Sequence, residues 1–248
     1  MLCSRLPQRV DWTLVHSFDQ ANGSEPFAPL VEGTDGNLYG TTTSGSGEAG
    51  CGTIFKVTSS GTLTLHNFDF ADGCTPFAGL VQATDGNFCG TTPRGGDPSC
   101  NAPGGCGTVF KMTPDGVVTT LHTFEGSDGA NPYGGLLQAT SGVLYGSTSS
   151  GGDLETVGFG NIFSLDVGLG PFVTFVRASG RIGTVSGVMG QGLTGTTSVS
   201  FNGIPASFTV KSDTFIDATV PPGATTGYVT VTTPSGTLTS NVPFYVIP

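Results

Sequence analysis

All three histidines of the chain, His16, His66 and His122, recur at one position of a repeating pattern. Neutral imidazole ligates zinc well, so three such rings invite a shared metal site. Equivalent positions on successive repeats normally lie farther apart than one ion spans, which makes packing between repeats the expected role. Acidic turns recur as well, at Asp19-Gln20-Ala21-Asn22-Gly23, Asp69-Phe70-Ala71-Asp72-Gly73 and Glu125-Gly126-Ser127-Asp128-Gly129. Each hints at a calcium loop but lacks a full set of oxygen ligands with a bidentate carboxylate. Asx-turn hydrogen bonding explains the pattern without an ion.

Catalysis finds less support. Glycoside cleavage needs an unrepeated pair of carboxyl groups in a cleft, and the unrepeated acids are Glu32, Glu48, Asp97, Asp153 and Glu155. Most of them sit in Gly-rich loops, where a solvated surface is the simpler reading. No Gly-x-Ser-x-Gly elbow is placed between a strand and a helix. Neither a catalytic set, nor a cofactor, nor a metal site is expected.

The cysteines speak of compartment. Cys100 and Cys106 flank Asn101-Ala102-Pro103-Gly104-Gly105, a flexible loop that can close a disulfide without strain. Cys51 holds the repeat position of Cys106 and could reach Cys74. Cys89 stands where Tyr39 and Tyr145 stand and fills that buried slot as a small hydrophobe. An oxidising compartment fits this usage.

These residues must be positioned by β-structure. Of 248 residues, 41 are Gly and 16 are Pro, a content that argues against helices and for many turns. Eight Lys and Arg against 18 Asp and Glu give a net charge of −10, too poor in cations to neutralise a row of phosphates. Nucleic acid is excluded as a partner on that ground. No apolar run reaches the roughly 18 residues of a membrane span, and residues 1–12 lack the apolar core of a signal peptide.

One pattern occurs three times, as Thr13–Thr42, Thr62–Thr92 and Thr119–Thr148, with a period of about 50 residues. Within the second unit four strands are predicted, over Leu80–Thr84, Phe88–Thr92, Thr108–Thr113 and Val117–Phe124. Asp85-Gly86 suits a tight hairpin turn, and Pro114-Asp115-Gly116 a turn that starts at a fixed φ. A four-stranded meander cannot cover both of its faces alone, so the units are expected to stack as blades.

The segments DGNLYGTT, CGTVFKMTPDG, TLHTF and NPYGGLLQAT resemble the Gloeo/Verruco (GloVer) tandem repeat of secreted bacterial proteins, over roughly Thr13 to Gly170. That resemblance implies a propeller-like array without an assigned catalytic activity. After Gly170 the pattern stops, and TSVSFNGIPASFTVKSDTFIDATVPPGATTGYVTVTTPSG is similar to IPT/TIG immunoglobulin-like domains. Turn signals there fall at Gly180, Gly192, Asn202-Gly203, Pro221-Pro222-Gly223 and Pro234-Ser235-Gly236, and Ser186 occupies a slot where alternation wants an apolar residue.

The expected architecture is therefore all-β: a partial β-propeller-like array of three four-stranded blades followed by an immunoglobulin-like β-sandwich. Residues 1–12, including Cys3, are expected to be disordered or unrelated, with repeats over 13–169 and the sandwich over 170–248. The expected function is a non-catalytic extracellular or cell-surface binding or adhesion module for a glycan or protein ligand, without membrane insertion. Its alternatives are a fragment of a carbohydrate-active enzyme and a structural spacer. Closed propellers use about four to eight blades, so the array reads as part of a larger ring whose chain starts on the last strand of a preceding blade. Its open face, drawn from Leu30, Leu38, Tyr39, Ile54 and Phe55, is expected to drive self-association.

Overall fold

A computed structural model describes residues 11–45, 49–152 and 158–248 of the chain. Cys3, Glu48, Asp153 and Glu155 lie outside the described residues, as does most of the segment expected to be disordered. Among the described residues every regular element is a strand, no sheet closes into a barrel, and no helix is long and apolar enough to cross a membrane.

The first unit is an antiparallel meander of β1 (Val31–Glu32), β2 (Leu38–Thr42), β3 (Thr53–Thr58) and β4 (Gly61–Asn67). The second repeats it as β5 (Val81–Gln82), β6 (Phe88–Thr92), β7 (Thr108–Met112) and β8 (Val118–Thr123). In the third, β9 (Leu137–Gln138), β10 (Leu144–Ser147) and β11 (Ile162–Leu165) form a sheet of three strands, one short of the four expected. The reason is local. After Leu165 the chain does not turn back in a hairpin but runs under the β9–β10 turn, where Phe172 N–H donates to Thr140 O at 3.0 Å.

Side-chain fit across strands explains the repeated motif. Gly40 is paired with Phe55 and Gly90 with Phe110, and a Cβ on either glycine would fall 2.5 or 2.6 Å from the facing ring. Gly146 and Phe163 repeat the arrangement. The ring thus lies flat over the glycine, and beside it both β3–β4 and β7–β8 carry a bulge, at Ile54/Phe55 and Val109/Phe110. Next to each pair two buried threonine hydroxyls meet, Thr42 with Thr53 at 2.9 Å and Thr92 with Thr108 at 2.8 Å.

Stacking of the units buries both faces of the inner strands, which is why β2 and β6 lack the alternation of a half-buried strand. Tyr39 meets Phe88 of the next unit with ring centroids 4.0 Å apart, and Ile54, Leu80, Phe110 and Met112 close the same core. Full burial of such a ring contributes about 1.5–3 kcal/mol. Phe68, directly after β4, packs edge-on against Phe110 of the following unit at 5.1 Å, and Phe124 packs likewise on Phe163 at 5.2 Å. A reciprocal clasp completes each joint. Thr34 N–H donates to Gln82 Oε1 at 2.9 Å, while Gln82 Nε2 donates back to Thr34 Oγ1 at 3.3 Å. Thr84 and Gln138 form the same pair at the next joint, at 3.0 Å both ways.

This stacking corrects the expected open face of the first unit. Tyr39 and Ile54 are buried under the second unit, and Phe55 is covered by Gly40 and by Phe18, whose ring lies 5.0 Å away. Leu30 and Leu38 remain exposed.

The last part of the chain holds β12 (Thr174–Phe175), β13 (Ser179–Arg181), β14 (Val185–Met189), β15 (Ser198–Phe201), β16 (Ile204–Pro205), β17 (Phe208–Ser212), β18 (Phe215–Thr219), β19 (Val229–Thr233), β20 (Gly236–Thr239) and β21 (Tyr245–Ile247). Two four-stranded sheets, β12-β14-β18-β17 and β16-β15-β19-β20, contribute to one apolar cluster around Phe201, Ile216, Val231 and Phe244, with β13 and β21 paired in parallel beside them. The alternating burial of β18 and β19 is that of strands with one face inward. Gly180 is not a turn but lies within β13, where a Cβ would approach Thr184 and Phe244; the turn is at Gly183, with φ +83°. Ser186 is buried, and its hydroxyl donates to Arg177 O at 3.4 Å.

Candidate functional site

Three equivalent dipeptides, Pro26-Phe27, Pro76-Phe77 and Pro132-Tyr133, shape the most distinctive surface. The residue before each proline, Glu25, Thr75 or Asn131, takes a left-handed φ of 60°, 57° or 54°. Backbone bonds hold it there: Thr75 N–H donates to Cys51 O and Asn131 N–H to Cys106 O, each at 2.8 Å. The proline then fixes its own φ, and the aromatic side chain that follows is left in solvent. Phe27, Phe77 and Tyr133 are 64%, 42% and 48% exposed. They form a continuous row, Phe27 stacked on Phe77 at 5.4 Å and Phe77 edge-on to Tyr133 at 5.6 Å.

The row ends at a cleft of about 860 Å³ between the second and third units, lined by Phe70, Arg94, Asn101, Pro103, Asn131 and Tyr133 among others. One wall is the loop closed by the Cys100–Cys106 disulfide, which contains the cis Ala102–Pro103 peptide. Asn131 is fixed as part of the frame: its Nδ2 donates to Pro93 O at 2.8 Å, and its Oδ1 accepts from the Ser150 hydroxyl at 2.7 Å. Arg94 is exposed and pairs with no carboxylate among the described residues. Exposed rings beside an exposed guanidinium offer apolar faces and directed donors in one place. A second cavity, of about 530 Å³, lies by Arg181, Ala224, Thr226 and Val246, without an aromatic wall.

The residues singled out by type alone are scattered. His66 and His122 do not meet; each pairs with the aspartate of its own acidic turn, Asp72 at 2.6 Å and Asp128 at 2.8 Å. The same carboxylates accept backbone N–H bonds from three residues earlier, from Asp69 at 3.0 Å and Glu125 at 2.9 Å, and in the second unit Asp69 itself accepts from Ala71 N–H at 2.9 Å, an Asx-turn. Among the described residues no three His, Cys, Asp or Glu side chains gather to hold an ion. Asp97 is half-buried and accepts from Ser99 N–H and Oγ at 2.8 Å; those bonds hold its carboxyl below the usual range. Glu32 lies on β1, paired with Leu38 of β2.

Cys100 is disulfide-bonded to Cys106, and Cys51 to Cys74, the latter joining the first unit to the second. Cys89 is a buried thiol between the second and third units, pushed up to about 12 by burial and by the nearby Asp85 charge. Where Cys89 stands in the second unit, the first has Tyr39, whose hydroxyl donates to Asp35 at 2.8 Å, beside the Lys56–Asp35 ion pair at 2.8 Å. Burial raises the Asp35 carboxyl, but Lys56, Asn37 and Tyr39 together outweigh it and hold the group well below the usual carboxylate range.

The aromatic row was missed by a reading that looked for titratable groups. Its signal is present in the sequence as an aromatic two residues after Glu25, Thr75 and Asn131 in all three units, each preceded by proline.

A family model described as the Gloeobacter/Verrucomicrobia repeat matches residues 4–212 of the chain. No curated protein matches it. Among solved structures, a fungal alcohol oxidase of the AA5 family in complex with copper aligns at 14% identity and a TM-score of 0.36, over 86% of this chain and 52% of that one. The chain thus spans about half the length of that structure.

Proposed function

The chain belongs to the Gloeobacter/Verrucomicrobia repeat family, and we propose that it is a non-catalytic extracellular binding module whose ligand is a glycan. In this reading the three units are blades of a β-propeller and the last sheets are an immunoglobulin-like domain of the IPT/TIG type. The observation that carries the proposal is the exposed row of Phe27, Phe77 and Tyr133 running into the cleft beside Arg94. A saccharide chain presents both apolar C–H faces, which pack on rings, and hydroxyl oxygens, which accept from a guanidinium. A net charge of −10 disfavours polyanions such as nucleic acid as the occupant. Two disulfides in so short a chain support an oxidising compartment.

The test is a glycan array with the 248-residue chain, followed by titration of a retained glycan against Tyr133→Ala and Arg94→Ala. Retention without turnover, weakened at least tenfold by either substitution, is the expected result. Turnover of the retained glycan would favour the enzyme reading, and silence on the array the spacer reading.

A further inference from the structure

Two segments of the chain lack what their counterparts in the repeat have. Residues 12–17 carry the sequence of an outer strand, with His16 at the position of His66 and His122, yet they pair with no strand among the described residues. Trp12, Leu14 and Val15 are exposed there. Conversely, β3 and β7 each carry an outer strand, β4 or β8, while the outer edge of β11 is unpaired among the described residues. We propose that these are two halves of one ladder formed between copies of this chain: residues 12–17 of one copy add antiparallel to β11 of another. An unpaired edge is a template for such addition.

The register follows from the two ladders already present. Ile54 pairs with His66 and Lys56 with Leu63; Val109 pairs with His122 and Lys111 with Thr119. The same spacing sets Ile162 opposite His16 and Ser164 opposite Thr13.

The surfaces that this pairing brings together are apolar on both sides, and the chain itself shows twice what covers them. Cys51, Ile54 and Tyr39 in the first unit, and Cys106, Val109 and Cys89 in the second, are buried by the unit that follows. Their counterparts in the third unit are Phe159, Ile162 and Tyr145. Phe159 is 89% and Ile162 85% exposed. On the partner copy the complementary surface is Leu30 and Leu38, exposed at the positions of the buried Leu80 and Phe88. Phe18 already rests on Phe55 at 5.0 Å, as Phe68 rests on Phe110, so strand addition through residues 12–17 sets the first unit of one copy against the third unit of the other.

The clasp between units agrees. Thr34 and Thr84 N–H groups donate to a glutamine of the following unit, whereas Thr140 N–H has no acceptor among the described residues. Glu32 occupies that glutamine's position on β1. Gln191 holds the Thr140 hydroxyl at 3.3 Å, and a carboxylate, which only accepts, needs the N–H alone. Two copies joined this way at both ends bring six sheets into one ring, within the roughly four to eight of closed propellers.

Light scattering of the 248-residue chain at micromolar concentration should give at least twice the monomer mass. Leu14→Pro removes a ladder N–H at an exposed position outside every strand of the monomer and should return the mass to that of one chain. Mixing Thr13→Cys protein with Ser164→Cys protein under mild oxidation should yield a disulfide between the two chains at those positions. A monomeric unmodified chain overturns the proposal. So does an associated chain that gives no such cross-link, or that stays associated with Leu14→Pro.

Discussion

Replacing Cys100 with Ala and Ala130 with Cys should convert a bridge within one loop into one that ties the second unit to the third. Ala130 shares the backbone setting of Cys74: each N–H donates at 2.8 Å, Cys74 to Arg94 O and Ala130 to Ser150 O. The residue after each donates at 2.8 Å to Cys51 O or Cys106 O. Freed from Cys100, the Cys106 sulfur would face the new thiol as Cys51 faces Cys74. The sequence separation of the bridge rises from 6 to 24 residues. In the chain-entropy model the gain scales as 1.5RT times the logarithm of that ratio, ~1.2 kcal/mol over the natural bridge. For a repeat array of this size the melting temperature should rise by about 2–5 °C, since 1 kcal/mol corresponds to about 2–4 °C. Non-reducing peptide mapping and calorimetry with and without reductant measure both effects. A map with free thiols at both positions, or a bridge whose reduction leaves the transition unmoved, refutes the equivalence.

Gly90→Ala should destabilise the second unit by about 1–3 kcal/mol through overlap with the Phe110 ring, and Phe110→Leu should recover part of it; urea titration of the single and double variants checks this. Asp35, held low, contributes stability that is complete above its ordinary value of 3.8 and is lost as pH falls through its lower folded value, while Lys56, pushed up to about 12 by Asp35 and Tyr39, contributes below 10.5 and loses that contribution as pH climbs toward 12. Asp35→Asn should therefore flatten the melting temperature against pH at both ends, and identical profiles for variant and parent would sink the assignment. Residues 171–248 should fold alone, because the cluster around Phe201 and Phe244 draws on residues 173–246 only; a poorly dispersed NMR spectrum of that fragment would contradict it.

The strands of the second unit were legible because Gly, Asp-Gly and Pro-Asp-Gly punctuate short β-prone runs, so predicted and observed bounds agree within about two residues at most ends. The repeated Gly and Phe of the motif were visible as letters, but their meaning was not. Only the pairing of Gly40 with Phe55 shows that the glycine exists to seat a ring. Tyr39, Ile54 and Phe55 were assigned to an open face because the pleat of β2 and β3 does not say which neighbour, preceding or following, each residue meets. Gly180 read as a turn since a lone glycine between polar residues has no local mark of close packing against Phe244. The aromatic row of the candidate surface escaped notice for a different reason. Titratable residues advertise chemistry by type, whereas Phe27, Phe77 and Tyr133 stand out as a row only through an exposure that periodicity alone does not reveal.

The two joints between units are fastened differently, and the difference has a mechanical side. Between the first and second units the Cys51–Cys74 bond is a covalent rivet in addition to the clasp and the apolar contacts. Between the second and third, Cys106 is spent on Cys100 within its own loop, so that seam is held by non-covalent contacts alone. Under tension the second seam is the compliant one. The cleft straddles it, with Phe70 and Arg94 on one bank and Asn131 and Tyr133 on the other. The width of the cleft is therefore the dimension of the repeat array most open to adjustment, and a ligand that bridges both banks would act as the missing fastener.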